Sequence, residues 1–125
     1  MEKKILTSKT LSAVGPYSLA VEAGSLIFIS GQIPLNPATG EIVADIQGAT
    51  RQVLTNLKTL LEENGLSLQN IVKTTIFLKN ISDFAAVNEI YSSFFSTDPP
   101  ARSTVEVSAL PKGAPLEIEA IAIRR

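Results

Sequence analysis

Two stretches, LIFIS at residues 26–30 and TTIFLK at residues 74–79, constrain the fold more than any other feature of the chain. Successive side chains of a strand point to opposite faces, so Leu26 and Phe28 lie on one side and Ile27 and Ile29 on the other, while Ile76 and Leu78 oppose Phe77. Both faces of these strands are apolar. The chain has 125 residues, 45% of them apolar, enough for one domain over residues 1–125 with a real core and too few for a second. Only two segments read as helices, and two helices cover one face of a sheet. The other face then packs on another subunit, which predicts an oligomer with sites between its chains.

The helices are DIQGATRQVLTNLKTLLEENG and SDFAAVNEIYSSFF. The first places Ile46, Ala49, Val53, Leu57, Leu60 and Leu61 at helical spacing, with Asp45 as N-cap and Gly65 as the C-terminal stop. The second has Ser82 as expected cap and Phe84, Val87, Tyr91, Phe94 and Phe95 on one stripe. Strands are predicted at SLAVEA, LIFISGQIP, IVKTTIFLK, RSTVEV and LEIEAIAIR, joined by turns such as NPATGE and LPKGAP.

Absences narrow the chemistry. There is no cysteine and no histidine, so a thiolate nucleophile, a Ser-His-Asp triad and a Cys- or His-based metal site are excluded. No glycine-rich phosphate loop occurs. Eleven Lys and Arg against twelve Asp and Glu give a net charge of −1, without a basic block except Arg124 and Arg125, which argues against nucleic acid as a partner. The N-terminal MEKKILTSKT lacks an apolar run, and nowhere do eighteen apolar residues follow one another, so a soluble cytoplasmic protein without a membrane partner is expected.

Among the residues left, Arg102 follows Pro99 and Pro100, which fix φ and place it at a stiff loop-to-strand junction. A surface arginine lying along the protein would look the same from sequence. Asn88 falls in the apolar stripe of the second helix, where a buried amide must be bonded; tying down a loop or neighbouring backbone is the structural reading, ligand contact the functional one. The last strand puts Leu116, Ile118, Ala120 and Ala122 on one face and Glu117, Glu119, Ile121 and Ile123 on the other. Those acids either pair with cations on a half-solvated face or include a carboxylate held at a cleft as a proton acceptor or donor. Tyr17 in GPYS and Ser30 beside Gly31 in ISGQIP each adjoin a Gly or Pro that lets backbone approach a ligand.

Taken in order, GPYS, SGQIPLNPATGE, VNEIYSSFF, PPARSTVEV and LPKGAPLEIEAIAIRR closely resemble the RidA family, also called the YjgF family, from about residue 3 to the end. The resemblance implies an α/β fold, a chorismate-mutase-like sandwich of a mixed sheet with two helices on one face. Three such chains would form a barrel-like homotrimer with ligand clefts between subunits. It implies hydrolysis of reactive enamines and imines, 2-aminoacrylate, 2-aminocrotonate and their 2-imino acid tautomers, to 2-keto acids and ammonia, limiting damage to pyridoxal-phosphate enzymes. No cofactor or metal is implied.

By position, Arg102 matches the family arginine that grips the substrate carboxylate, and Glu117 the carboxylate that positions or activates water. Tyr17, Ser30, Gly31 and Asn88 match positions in or beside the pocket. Thr104 stands where many deaminase members carry cysteine; it shares the face of Arg102, so its hydroxyl can still reach the cleft. The expected mechanism has Arg102 fixing the carboxylate, Tyr17 or a water protonating the enamine carbon, and Glu117 orienting the attacking water. The alternative is a non-catalytic binding or regulatory protein for 2-keto acids that uses the same cleft.

Overall fold

The structure is a computed structural model and describes residues 2–125. Six strands, β1 (Lys3–Leu6), β2 (Ala20–Ala23), β3 (Leu26–Gln32), β4 (Ile71–Leu78), β5 (Ala101–Glu106) and β6 (Leu116–Ile123), form one sheet in the order β1-β2-β3-β6-β4-β5. Neighbours run antiparallel except β4 and β5, so the sheet is mixed. Two helices, α1 (Ile46–Glu63) and α2 (Phe84–Phe94), pack on one face. No helix among the described residues is long and apolar enough to cross a membrane.

The helix α1 begins where its side chains dictate. Asp45 accepts a hydrogen bond from the Gly48 N–H at 2.8 Å, and Gly65, with φ +75°, turns the chain out of the last turn. Its stripe of Ala49, Val53, Leu57, Leu60 and Leu61 is buried. The buried Asn56 spends its amide on the Leu35 carbonyl at 2.9 Å, which fastens the loop after β3 to the helix. The start of α2 differs from expectation. Ile81–Asp83 forms a 3₁₀ turn that contains Ser82, and Asp83 is the N-terminal flanking residue without a side-chain bond. That turn is fixed from outside: Glu106 accepts the Ile81 N–H at 2.9 Å.

Alternation along the strands sorts the sheet into two unlike faces. Ile27, Ile29, Ile76, Leu78, Leu116, Ile118, Ala120 and Ala122 are buried beneath the helices. On the open face Leu26, Phe28 and Val105 are 41%, 45% and 45% exposed, with Phe77, Ile121 and Ile123 half-buried beside them. The double-sided apolarity of LIFIS and TTIFLK thus fills one core and leaves a second apolar surface facing out. Strand β1 is an addition to the predicted set: Lys3–Leu6 pairs with β2, Lys4 opposite Glu22.

Candidate functional site

The candidate residues fall into two groups, one around the β3 bulge and Glu117 and one around α2 and Arg102, and the two charged residues lie on opposite faces of the sheet. Strand β4 decides this, because it pairs with both β5 and β6. Arg102 lies beside Thr74 and Thr104 beside Ile76, and both neighbours are buried on the helix face. Glu117 lies opposite Phe77, on the open face. Within one chain, Arg102 and Glu117 therefore point away from each other.

The first group is built on a bulge. Ile29 pairs with Ala120 and Gln32 with Ile118, so Ser30 and Gly31 together oppose the single residue Glu119. The bulge tilts the strand so that Gly31 turns toward Glu117: a Cβ placed on Gly31 would lie 2.7 Å from the Glu117 carboxyl carbon. Ser30 uses both ends on the loop before β2, its N–H donating to the Leu19 carbonyl at 2.9 Å and its hydroxyl to the Ser18 carbonyl at 2.7 Å. These bonds hold the Gly15–Ser18 loop, where Tyr17 stands 45% exposed. Tyr17 and Gly31 share the wall of a cavity of about 180 Å³ with Leu19, Gln32 and Ile33. Burial, and after it the like charge of Glu119, pushes the Glu117 pKa up from its ordinary value. Glu119 itself is exposed.

The second group is built on α2. Phe84, Asn88 and Tyr91 are spaced i, i+4, i+7 and form one helix face. Arg102 reaches across it, donating from Nη2 to Asn88 Oδ1 at 2.7 Å. Its guanidinium carbon is 4.9 Å from the Tyr91 ring centroid and 5.4 Å from that of Phe84. Pro99, Pro100 and Phe95 border the same groove. Asn88 is half-buried, not buried, and its partner is the arginine side chain in place of the expected loop or backbone. Its amide oxygen meets the tip of the Arg102 side chain at the rim of the core. The Thr104 Oγ1 is buried and has no hydrogen-bond partner, at a cost of about 1–3 kcal/mol in the isolated chain.

Sequence reasoning passed over Tyr91 and Phe84 as neighbours of Arg102 and read them as core. The stripe was visible, but its partner on β5 is set by the β4–α2–β5 crossover, which no local pattern encodes. Among the described residues, no group of three or more His, Cys, Asp or Glu could hold a metal ion.

Comparison with known proteins adds an independent line. A family profile described as endoribonuclease L-PSP matches residues 7–124. The chain is 50% identical over 128 residues to the 2-iminobutanoate/2-iminopropanoate deaminase of Escherichia coli (strain K12), covering 100% of each protein. Its fold is similar to the crystal structure of the YjgF gene product from E. coli, with a TM-score of 0.91 at 50% identity over 99% of this chain and 100% of that one. It is equally similar to E. coli TdcF with bound serine, with a TM-score of 0.92 at 46% identity over 98% of this chain and 99% of the other.

Proposed function

Because the chain belongs to the endoribonuclease L-PSP family, the YjgF/RidA family, we propose that it is a deaminase that hydrolyses 2-imino acids and their enamine tautomers to 2-keto acids and ammonia. The name of the half-identical E. coli deaminase supports the reaction class. The observation that carries the reading is the seat of Arg102. One Nη2 proton is taken by Asn88 and the guanidinium rests against two rings, so its remaining donors form an oriented fork for a carboxylate. A small amino acid bound to the similar TdcF is consistent with a substrate of that size.

The two groups complete one site only if neighbouring copies supply them. We assign the assembly as a trimer with the apolar open faces turned inward, so that Arg102, Asn88 and Thr104 of one copy meet Glu117, Gly31, Ser30 and Tyr17 of the next. Exposure of Leu26, Phe28 and Val105 supports this packing. In such a cleft Arg102 holds the carboxylate, and Tyr17 or a water delivers the proton that turns the enamine into the imine. Glu117 then takes a proton from the water whose oxygen bonds to C2. Glu117 returns that proton to the nitrogen of the resulting carbinolamine, the C2–N bond breaks as the C2 hydroxyl gives up its own proton to form the keto C=O, and ammonia leaves. The unpartnered Thr104 hydroxyl becomes a donor to ligand or water. Cleavage of RNA, the activity in the family's description, calls for a basic track along phosphates that a net charge of −1 does not supply.

The test generates 2-aminoacrylate and 2-aminocrotonate in situ with a pyridoxal-phosphate dehydratase and follows keto acid above the spontaneous rate. Glu117→Gln keeps the shape but cannot take a proton, so turnover falls by about 10²–10⁴ while 2-oxobutanoate binding, read by calorimetry, survives. Arg102→Lys weakens both by about 1.5–3 kcal/mol, and Glu119→Gln is mild. A base works only when deprotonated, and burial raises the Glu117 pKa. The acid limb of kcat/KM therefore lies above the value near 4.3 that an ordinary glutamate would set, and it disappears in Glu117→Gln. No acceleration by the wild-type protein, with 2-oxobutanoate still bound, would favour a keto-acid-binding protein over an enzyme.

A further inference from the structure

We propose that Tyr91 and Thr74 are positioning residues that aim the guanidinium of Arg102, acting through a buried strut between helix and sheet. The inference rests on the assignment of Arg102 to the substrate carboxylate. Strand β5 is the last of its sheet, and its pleat sends Arg102 to the helix face, so where along that face the long side chain settles depends on what it meets there. What Arg102 meets is the face of Tyr91, at 4.9 Å. Tyr91 is in turn fixed at its far end, where its hydroxyl and the Thr74 hydroxyl are 2.7 Å apart. Thr74 is fully buried, and it is the residue on β4 directly paired with Arg102.

The contacts therefore close on themselves: from Arg102 to the Tyr91 ring, from the ring through the hydroxyl to Thr74, and from Thr74 across the ladder back to Arg102. Phe95, 4.7 Å from the Tyr91 ring, backs it from within the core. A phenylalanine and a valine would fill the same space without burying two hydroxyls. What the hydroxyls add is direction, because a ring held at one end by packing and at the other by a bond of 2.7 Å cannot slide along the helix axis. Burial raises the Tyr91 pKa, so the hydroxyl stays protonated and the strut persists across neutral pH. Asn88 supplies the second fix, one turn away, and leaves the outer edge of the guanidinium free.

The experiment measures 2-oxobutanoate affinity by calorimetry and the KM and kcat of the dehydratase-coupled reaction for Tyr91→Phe, Thr74→Val and the double variant, beside Arg102→Lys. Each single change is expected to weaken 2-oxobutanoate about 3–10-fold, the scale of one lost hydrogen bond, with the loss carried by KM. The double variant is expected to be no worse than the singles, because all three remove the same strut. It is also the safeguard for folding. Removing both hydroxyls together leaves no buried donor unpaired, so its melting temperature stays near that of the wild type even where a single variant is unstable. Unchanged affinity and KM in the double variant, with Arg102→Lys clearly weakened, would overturn the positioning role alone. Unchanged affinity in Arg102→Lys as well would overturn the carboxylate assignment on which the role depends.

Discussion

A methyl group added at residue 31 has nowhere to go except into the Glu117 carboxylate. The built position lies 2.7 Å from the carboxyl carbon and 2.9 Å from Cγ, so the whole head group must swing aside. It can do so cheaply, since Glu117 is half-buried and no hydrogen bond holds it within the described chain. Gly31→Ala should therefore leave the melting temperature within a few degrees of the wild type. Turnover should fall by about 10–100-fold, because the proposed base, displaced by about an ångström, no longer meets its water. Circular dichroism and the coupled assay read the two effects separately. Full turnover in the folded variant would mean that the carboxylate does its work from somewhere else. The same geometry explains what could be read beforehand and what could not. A Ser-Gly pair in an apolar strand marks a place of close approach, but that Glu117 is what approaches depends on a bulge in the pairing with β6.

At the scale of an element, the segment that leads to the Tyr17 loop is held by one exposed carboxylate at the end of α1. Glu63 accepts hydrogen bonds from the hydroxyls of Ser8 and Thr10, the latter at 2.8 Å, and from the Lys9 N–H at 3.3 Å, while Asn64 donates to the Thr7 carbonyl at 3.0 Å. The Ser8 and Thr10 bonds lower the Glu63 pKa, so the tether is complete above the unfolded value and is lost as pH falls through the lower folded one. Amide resonances of Lys9, Thr10 and Leu11 should titrate together with a midpoint below about 4.3, and Glu63→Gln should shift them at neutral pH. Separate midpoints, or one above that value, would show the segment to be held by something else. None of this was legible in the sequence, because residues 8 and 63 are joined by folding alone. Helix α1 was legible from end to end, since its cap, stripe and stop are local. Strand β1 was not, because four residues with two lysines show no period, and Ser82 misled because a 3₁₀ turn before α2 uses the position a cap would take. Asn88 and Arg102 were each singled out, yet their bond to one another follows only from the crossover between β4 and β5.

At the scale of the molecule, the sheet is a wall with half of the proposed site on each side. Arg102 stands on the helix face, paired with Thr74 of β4, and Glu117 on the open face, paired with Phe77 of the same strand. This has a consequence in genetics. A chain crippled at Arg102 still offers an intact Glu117, and a chain crippled at Glu117 still offers an intact Arg102. Around the proposed ring of three, any trimer containing both kinds would have one junction where the two sound halves face each other. Dead Arg102→Ala and Glu117→Gln proteins, unfolded together, refolded at equal concentration and verified by light scattering as three-chain particles, should thus regain roughly a quarter of wild-type turnover. Preparations refolded apart and then combined should stay inactive until subunits exchange. If the co-refolded particles remain dead, both halves serve the same copy's substrate, and the wall has been drawn in the wrong place. If they revive, two broken alleles of this protein in one cell can together make a working enzyme.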